Sequence, residues 1–226
     1  MFTYWDDQWL RLNDISLGGY FAGHEVILCG TGPSLKKVNP ALIEGSGKII
    51  CALNNAFTVV SPHLWIGMDP PDSFDEELWA RRCHKFYNID HIDAEIKGVK
   101  AHLYSQTYFL RTQLNAVPLT DGREAPHGFQ FEGTTFSTAI HLLHYLGFVK
   151  IYLVGCDFGG SNALSKIGKR YKKEKYDTKG QAKALSNGLG LLEYLSTERG
   201  DIEIISCTPK SKANKFLEYI PLEKIV

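Results

Sequence analysis

A surplus of charge of one sign is missing from this sequence. Lysine plus arginine and aspartate plus glutamate both number 25 in 226 residues, so the formal net charge is zero. The basic excess that marks most nucleic-acid-binding domains is therefore absent, and no nucleic-acid partner is expected. Residues 166–175 (KIGKRYKKEK) form a local basic run that can supply one basic face. Long apolar runs are missing too, and no segment approaches the roughly 20 residues that span a bilayer. The opening MFTYWDDQWLRL carries acids where a secretory leader carries basic residues. A cytoplasmic protein with no transmembrane segment is the expectation. Cysteine is sparse: Cys29, Cys51, Cys83, Cys156 and Cys207 are odd in number and contain no CxxC pair. That pattern speaks against a disulfide framework and against a cysteine zinc site. Cys29, Cys51 and Cys156 lie inside apolar runs and read as small core residues, a usage that suits a reducing compartment.

Apolar residues make up 44% of the chain and charged residues 22%, an ordinary balance for a globular protein with a substantial core. The length suits one large α/β domain over 1–226, with residues 1–24 as an N-terminal extension. Within that extension, residues 5–14 have Trp5, Trp9 and Leu12 at helical spacing and predict a short amphipathic helix. Buried-strand runs follow at 26–29, 48–53, 64–68 and 150–154, with further strands at 85–88, 101–104 and 202–206. Helices are expected over 74–82, 134–146, 185–197 and 211–219, and residues 117–132 are rich in Pro, Gly and His. The polar, lysine-rich stretch 161–184 reads as a loop or lid. Strands alternating with helices imply a Rossmann-like, mostly parallel sheet with helices on both faces. In such sheets ligands bind beyond the carboxyl ends of the strands. The polar groups Gly30–Ser34, Asn54–Asn55, Asp69–Asp72 and Asp157–Gly160 each follow a strand and should converge on that edge.

Gly30-Thr31-Gly32-Pro33-Ser34-Leu35 is the most informative of these groups. Glycines let backbone N–H groups approach an anion, and a following helix points its positive end at the same place. Pro33 suits the first helical turn, where its missing N–H is no loss. The loop lacks the GK[ST] of a Walker motif and the third glycine of the dinucleotide fingerprint. Asp69, in front of two prolines, can accept from a sugar hydroxyl, bind magnesium together with Asp72, or cap the next helix. Asn54 and Asn55 can read a base or sugar edge, or shape a turn. Thr134 and Thr135 open a helix and can serve a phosphate or simply cap it. Asp157 either bonds loop N–H groups or touches substrate. His141 and His144, three apart on a helix, lack the companions of a metal site and read as core or surface histidines. His127 is the better placed for acid–base work.

Three blocks, VILCGTGPSL, GTTFSTAIHLLHYLGFVKIYLVGCDFGG and CTPKSKANKFLEYIP, resemble the bacterial sialyltransferases of glycosyltransferase family 42. They equally resemble a related group that includes 6-hydroxymethylpterin diphosphokinases of archaeal type and motility-accessory-factor-like proteins. The resemblance runs from about residue 26 to the C-terminus and is poor over 75–130. It implies that the loop Gly30–Leu35 contacts a cytidine nucleotide donor, with Thr31 in place of the family's asparagine. It implies further that Asn54 touches the donor and that Thr134–Thr135 match a Thr-Ser pair at the donor site. Asp69 stands where the family has asparagine. The family's phosphate-binding tyrosines have no equivalent in 159–164, although Tyr171 and Tyr176 lie close by in sequence. No histidine occupies 177–190, where the family carries its base; Lys183 falls there, and a protonated lysine is a poor base unless its environment lowers its pKa.

The expected activity is a glycosyltransferase-like reaction with a nucleotide-sugar donor and a small-molecule or glycan acceptor, in which Asp69, His127 or Lys183 assists. The alternatives are a magnesium-dependent diphosphokinase acting on a hydroxymethylpterin-like substrate and a nucleotide-binding module without catalysis. No tightly bound cofactor is expected, and self-association is left open.

Overall fold

The computed structural model describes residues 2–6, 11–15, 17–113, 129–130, 133–159, 178–198 and 201–226. In chain order its strands are β1 (Phe2–Asp6), β2 (Arg11–Ile15), β3 (Glu25–Cys29), β4 (Ile49–Leu53), β5 (Leu64–Gly67), β6 (His84–Asn88), β7 (Glu95–Ile96), β8 (Val99–Lys100), β9 (Thr107–Leu110), β10 (Thr112–Gln113), β11 (Phe129–Gln130), β12 (Lys150–Val154) and β13 (Glu203–Ser206). The α-helices are α1 (Pro40–Glu44), α2 (Glu77–Ala80), α3 (Thr135–Tyr145) and α4 (Thr178–Glu198), with short 3₁₀ turns between.

Among the described residues the central sheet has nine strands in the order β13-β12-β3-β4-β5-β6-β9-β1-β2. From β13 to β9 every neighbouring pair is parallel. This is the Rossmann-like α/β architecture that the alternating pattern predicts. The strands are short apolar runs because both faces are covered. Val26 and Leu28 enter a core on one face with α3 and α4, whereas Ile27 and Cys29 enter a second core on the other face with Trp65, Trp79 and Tyr87. All five cysteines are free and buried, as the apolar context of three of them predicts. Helix α3 is buried along its whole length, which accounts for its apolar and small-residue composition.

The chain leaves β3 in one direction, through β4, β5, β6 and β9, and then returns to the other side of β3 as β12. The strand order thus reverses between β3 and β12, and a crevice outside their carboxyl ends is where such sheets bind ligands. Among the described residues no helix is long and apolar enough to cross a membrane.

The structure revises several elements. Residues 5–14 are not a helix: β1 and β2 form an antiparallel hairpin, and β1 adds to β9 through Phe2↔Leu110 and Thr3↔Phe109. A ten-residue helix is marginal by itself, while a sheet edge offers unpaired backbone groups to a β-prone FTYW run. The expected strand at 101–104 is a 3₁₀ turn, and pairing with β6 falls on Thr107–Leu110 instead. The helix expected over 74–82 shrinks to α2, and that over 211–219 to a 3₁₀ turn, Lys212–Lys215. Residues 178–184, expected as part of a loop, open α4. Their polarity reflects exposure: Ala182 and Lys183 are exposed, with no apolar stripe to announce a helix. The rest of that stretch, with Tyr171 and Tyr176, lies outside the described residues.

Candidate functional site

The loops after β3 and β12 run side by side because glycines permit it. The Gly30 N–H donates to the Val154 carbonyl at 2.8 Å, and the Gly32 N–H to the Gly155 carbonyl at 2.9 Å. Gly155 has φ +70°, a conformation that favours glycine, and a Cβ there would lie 2.7 Å from Leu35 Cβ. A Cβ on Gly30 would lie 2.7 Å from the Gly155 carbonyl oxygen. Beyond this contact Pro33–Lys37 forms a five-residue 3₁₀ turn with Gly32 as its N-cap. The Asp157 carboxylate accepts from the Ser34 N–H at 3.2 Å and from the Ser34 hydroxyl at 2.7 Å. Asp157 thus bonds the loop, one of the two roles open to it. Its consequence is electrostatic: a carboxylate already occupies the Ser34 N–H, and Pro33 has none, so an anion is better served elsewhere on this edge. Thr31, Gly32 and Ser34 remain half-buried and Pro33 exposed at the carboxyl edge.

Residues after β13 brace the same loop from outside. Thr208 Oγ1 accepts from the Cys156 N–H at 3.1 Å, and Ser211 Oγ donates to the Cys156 carbonyl at 2.7 Å. Burial, followed by the Asp157 carboxylate, pushes the Cys156 thiol up to about 12. Cys156 is a buried core residue.

At β4 the chain turns through Asn54, whose φ is +48°. Trp65 Nε1 donates to its carbonyl at 2.7 Å, and its side-chain Oδ1 accepts from Thr135 Oγ1 at 3.3 Å. Two site candidates 81 positions apart thus touch. Thr134 caps α3 by accepting from the Phe136 N–H at 2.9 Å. The first turn of α3 carries no acid. An eleven-residue α-helix thus presents its positive end to the carboxyl edge beside Asn54. Asn55, in contrast, is buried, with its amide donating to the Ser73 carbonyl and accepting from the Asp75 N–H, each at 3.0 Å. It shapes the turn and fixes the Asp69–Asp72 loop against β4.

Trp65→Phe should lower stability by about 1–3 kcal/mol, combining one lost hydrogen bond with a partial cavity. Hydrogen exchange should show weakened protection at 54–57 and little change at β12. Equal loss at both places would mean that Trp65 acts through the core alone.

Asp69 follows β5 and is half-buried; burial raises its carboxyl above the usual range, opposed by His91. Asp72 is exposed in the 3₁₀ turn Pro71–Ser73. Among the described residues no three His, Cys, Asp or Glu side chains are grouped to hold a metal ion. Lys183 is exposed on α4, whose Gly188 packs where a Cβ would lie 3.3 Å from Phe158 Cε1. His127 lies outside the described residues. His91, which sequence reasoning missed, sits in the 3₁₀ turn directly after β6. The signal was available, since the polar residues Asp90 and His91 follow a strand as Asp69 does.

No protein-family model matches the chain, and no curated protein matches it in sequence. Solved structures do match in fold. The sialyltransferase CstII from Campylobacter jejuni, in complex with the substrate analogue CMP-3FNeuAc, superposes with a TM-score of 0.50 at 14% identity, covering 88% of this chain and 87% of that one. A point variant of the sialyltransferase CST-II in complex with CMP gives 0.50 at 16% identity, with the same coverage. At such identity the likeness is one of fold.

Proposed function

We propose that this chain is a glycosyltransferase-like enzyme that uses a nucleotide-sugar donor, CMP-linked and sialyltransferase-like, and transfers the sugar to a small-molecule or glycan acceptor. The observation that carries this reading is the Asn54–Thr135 contact, which joins the β4 turn to the N-terminus of α3 beside the β3/β12 crevice. The fold it shares with proteins solved in complex with CMP and a CMP-sugar analogue supports the choice of nucleotide.

In this reading the N–H groups of α3 and the hydroxyl of Thr134 receive phosphate, while Thr135, whose hydroxyl donates to Asn54, orients that amide toward the donor. Gly30, Thr31, Gly32, Pro33 and Ser34 wall the nucleoside, Asn54 bonds its edge, and Asp157 holds the loop in shape. Asn55 positions the loop that carries Asp69 on the acceptor side. His127 and Lys183 are the other candidates for proton transfer. No tightly bound cofactor is needed, and magnesium held by Asp69 and Asp72 belongs to the diphosphokinase alternative.

A thermal-shift panel of CMP, CMP-sugars, UDP, GDP and ATP, with and without magnesium, tests this. Ligand at ~100 times its dissociation constant adds about 2.7 kcal/mol, or roughly 5–10 °C in a chain of this size. Stabilisation confined to cytidine nucleotides and independent of magnesium supports the reading. A magnesium-dependent shift with ATP alone would replace it with the kinase. Cytidine binding without turnover on any CMP-sugar would leave a binding module.

A further inference from the structure

Asp69 and His91 follow adjacent parallel strands, β5 and β6, whose register pairs Gly67 with Tyr87. Tyr87 is fully buried and packed against Trp65, Phe74 and Trp79. It touches both residues: its hydroxyl donates to the Asp69 carbonyl at 2.9 Å, and its ring is stacked by the His91 ring at 5.4 Å and 30°. The turn that carries His91 is fixed separately. Asn88 Oδ1 accepts from the Asp90 N–H at 3.1 Å, and Asn88 Nδ2 donates to the Asp90 carboxylate at 3.3 Å, which ties up the nearer acid. Among the described residues neither the Asp69 carboxylate nor the His91 ring has a hydrogen-bond partner. Both side chains are half-buried beyond the ends of β5 and β6, so each keeps polar atoms open to a ligand on a support that Tyr87 makes rigid.

We infer that His91 is the proton acceptor for the incoming hydroxyl and that Asp69 is the carboxylate that stabilises the resulting imidazolium, with Tyr87 setting the separation of the two. The inference rests on the transferase reading above. In the step, the acceptor oxygen forms a bond to the anomeric carbon. The bond from that carbon to the donor phosphate oxygen breaks, and its electron pair leaves with the nucleotide. The hydroxyl proton passes to His91, and Asp69 balances the new positive charge. Electrostatics agree with the pairing, since the positive charge of His91 opposes the rise that burial imposes on Asp69. General-base help of this kind is worth roughly 10²–10⁴-fold in rate.

The test has two arms. In the first, carbon-13 NMR follows the Asp69 carboxyl in wild type and His91→Gln, with no substrate present. Its midpoint should move further up in the variant; an unmoved midpoint overturns the pairing whatever the substrate is. In the second arm, transfer from a CMP-sugar is measured after calorimetry has established CMP binding. His91→Ala should lose at least 100-fold in kcat while the CMP dissociation constant stays within twofold, and added imidazole should restore part of the rate. Full kcat in His91→Ala overturns the assignment. If wild type fails to bind CMP or any other nucleotide, the transferase reading falls and the base role falls with it. The first arm still decides whether Asp69 and His91 are paired.

Discussion

Gly32→Ala should destabilise the protein by about 2.5–6 kcal/mol, the sum of overpacking at about 1–3 kcal/mol and a weakened charged hydrogen bond at about 1.5–3 kcal/mol. The backbone at Gly32 has φ −69° and ψ 163°, which alanine adopts freely. The penalty is therefore purely steric. A Cβ at this position overlaps the Asp157 carboxylate oxygen and lies 2.7 Å from the Gly155 carbonyl oxygen. The side chain can relax by swinging Asp157 away, but this breaks its bonds to the Ser34 N–H and hydroxyl. Asp157→Ala alone should cost about 1–3 kcal/mol, since the half-buried Ser34 N–H loses its acceptor. The double variant should cost clearly less than the sum, because the carboxylate that alanine collides with is gone. It should still be less stable than Asp157→Ala alone, as the Gly155 contact remains. Urea denaturation of the four proteins gives the cycle. Additive costs would mean that Gly32 and Asp157 do not share one contact.

The second large effect is expected in acid. His141 is buried on α3, edge-on to Phe129, and burial, aided by His144, pushes its imidazole down to about 4. Above pH 6.5 the imidazole is neutral in both folded and unfolded chains, and the full stability is present. As pH falls below 6.5 the unfolded chain takes up the proton and the folded chain does not. Stability should therefore drop by about 2 kcal/mol at pH 5 and about 3 kcal/mol at pH 4. His141→Gln should lose that component of the pH dependence while retaining whatever the carboxylates contribute. The measurement is the difference in unfolding free energy between wild type and variant at pH 7.5, 6 and 5. A difference that does not change with pH would show that His141 titrates alike in the folded and unfolded states. Neighbouring His144 is held separately, with Nε2 at 2.8 Å from Asp201 Oδ2.

Both histidines are buried, so of the core and surface readings that their spacing leaves open, the core one applies. Asp157 offers a similar lesson. Its place after KIYLVG puts it at the crevice, but its role depends on Ser34, 123 positions away.

Local sequence determined where the strands lie in this protein. EVILC, IICAL, LWIG and KIYLV are continuous apolar runs because a parallel strand is covered on both faces, and the polar residues that follow them mark the carboxyl edge. The same logic identified Gly30–Ser34, Asn54–Asn55, Asp69–Asp72 and Asp157–Gly160 as groups of one edge, and apolar context identified Cys29, Cys51 and Cys156 as core. Tertiary structure alone decided the rest. The N-terminal segment became a hairpin because β9 presented an open edge, a fact that no ten-residue window contains. Residues 178–184 became the first turns of α4 although no apolar stripe marks them. Asn55 turned inward because the 73–75 backbone needed both halves of its amide, while Asn54 kept its side chain toward Thr135. His91 joined Asp69 through the buried ring of Tyr87, in a stretch with no periodicity to read. The physical reason is the same in each case: hydrophobic periodicity is written locally, but the partners of polar groups are supplied by residues far away in the chain.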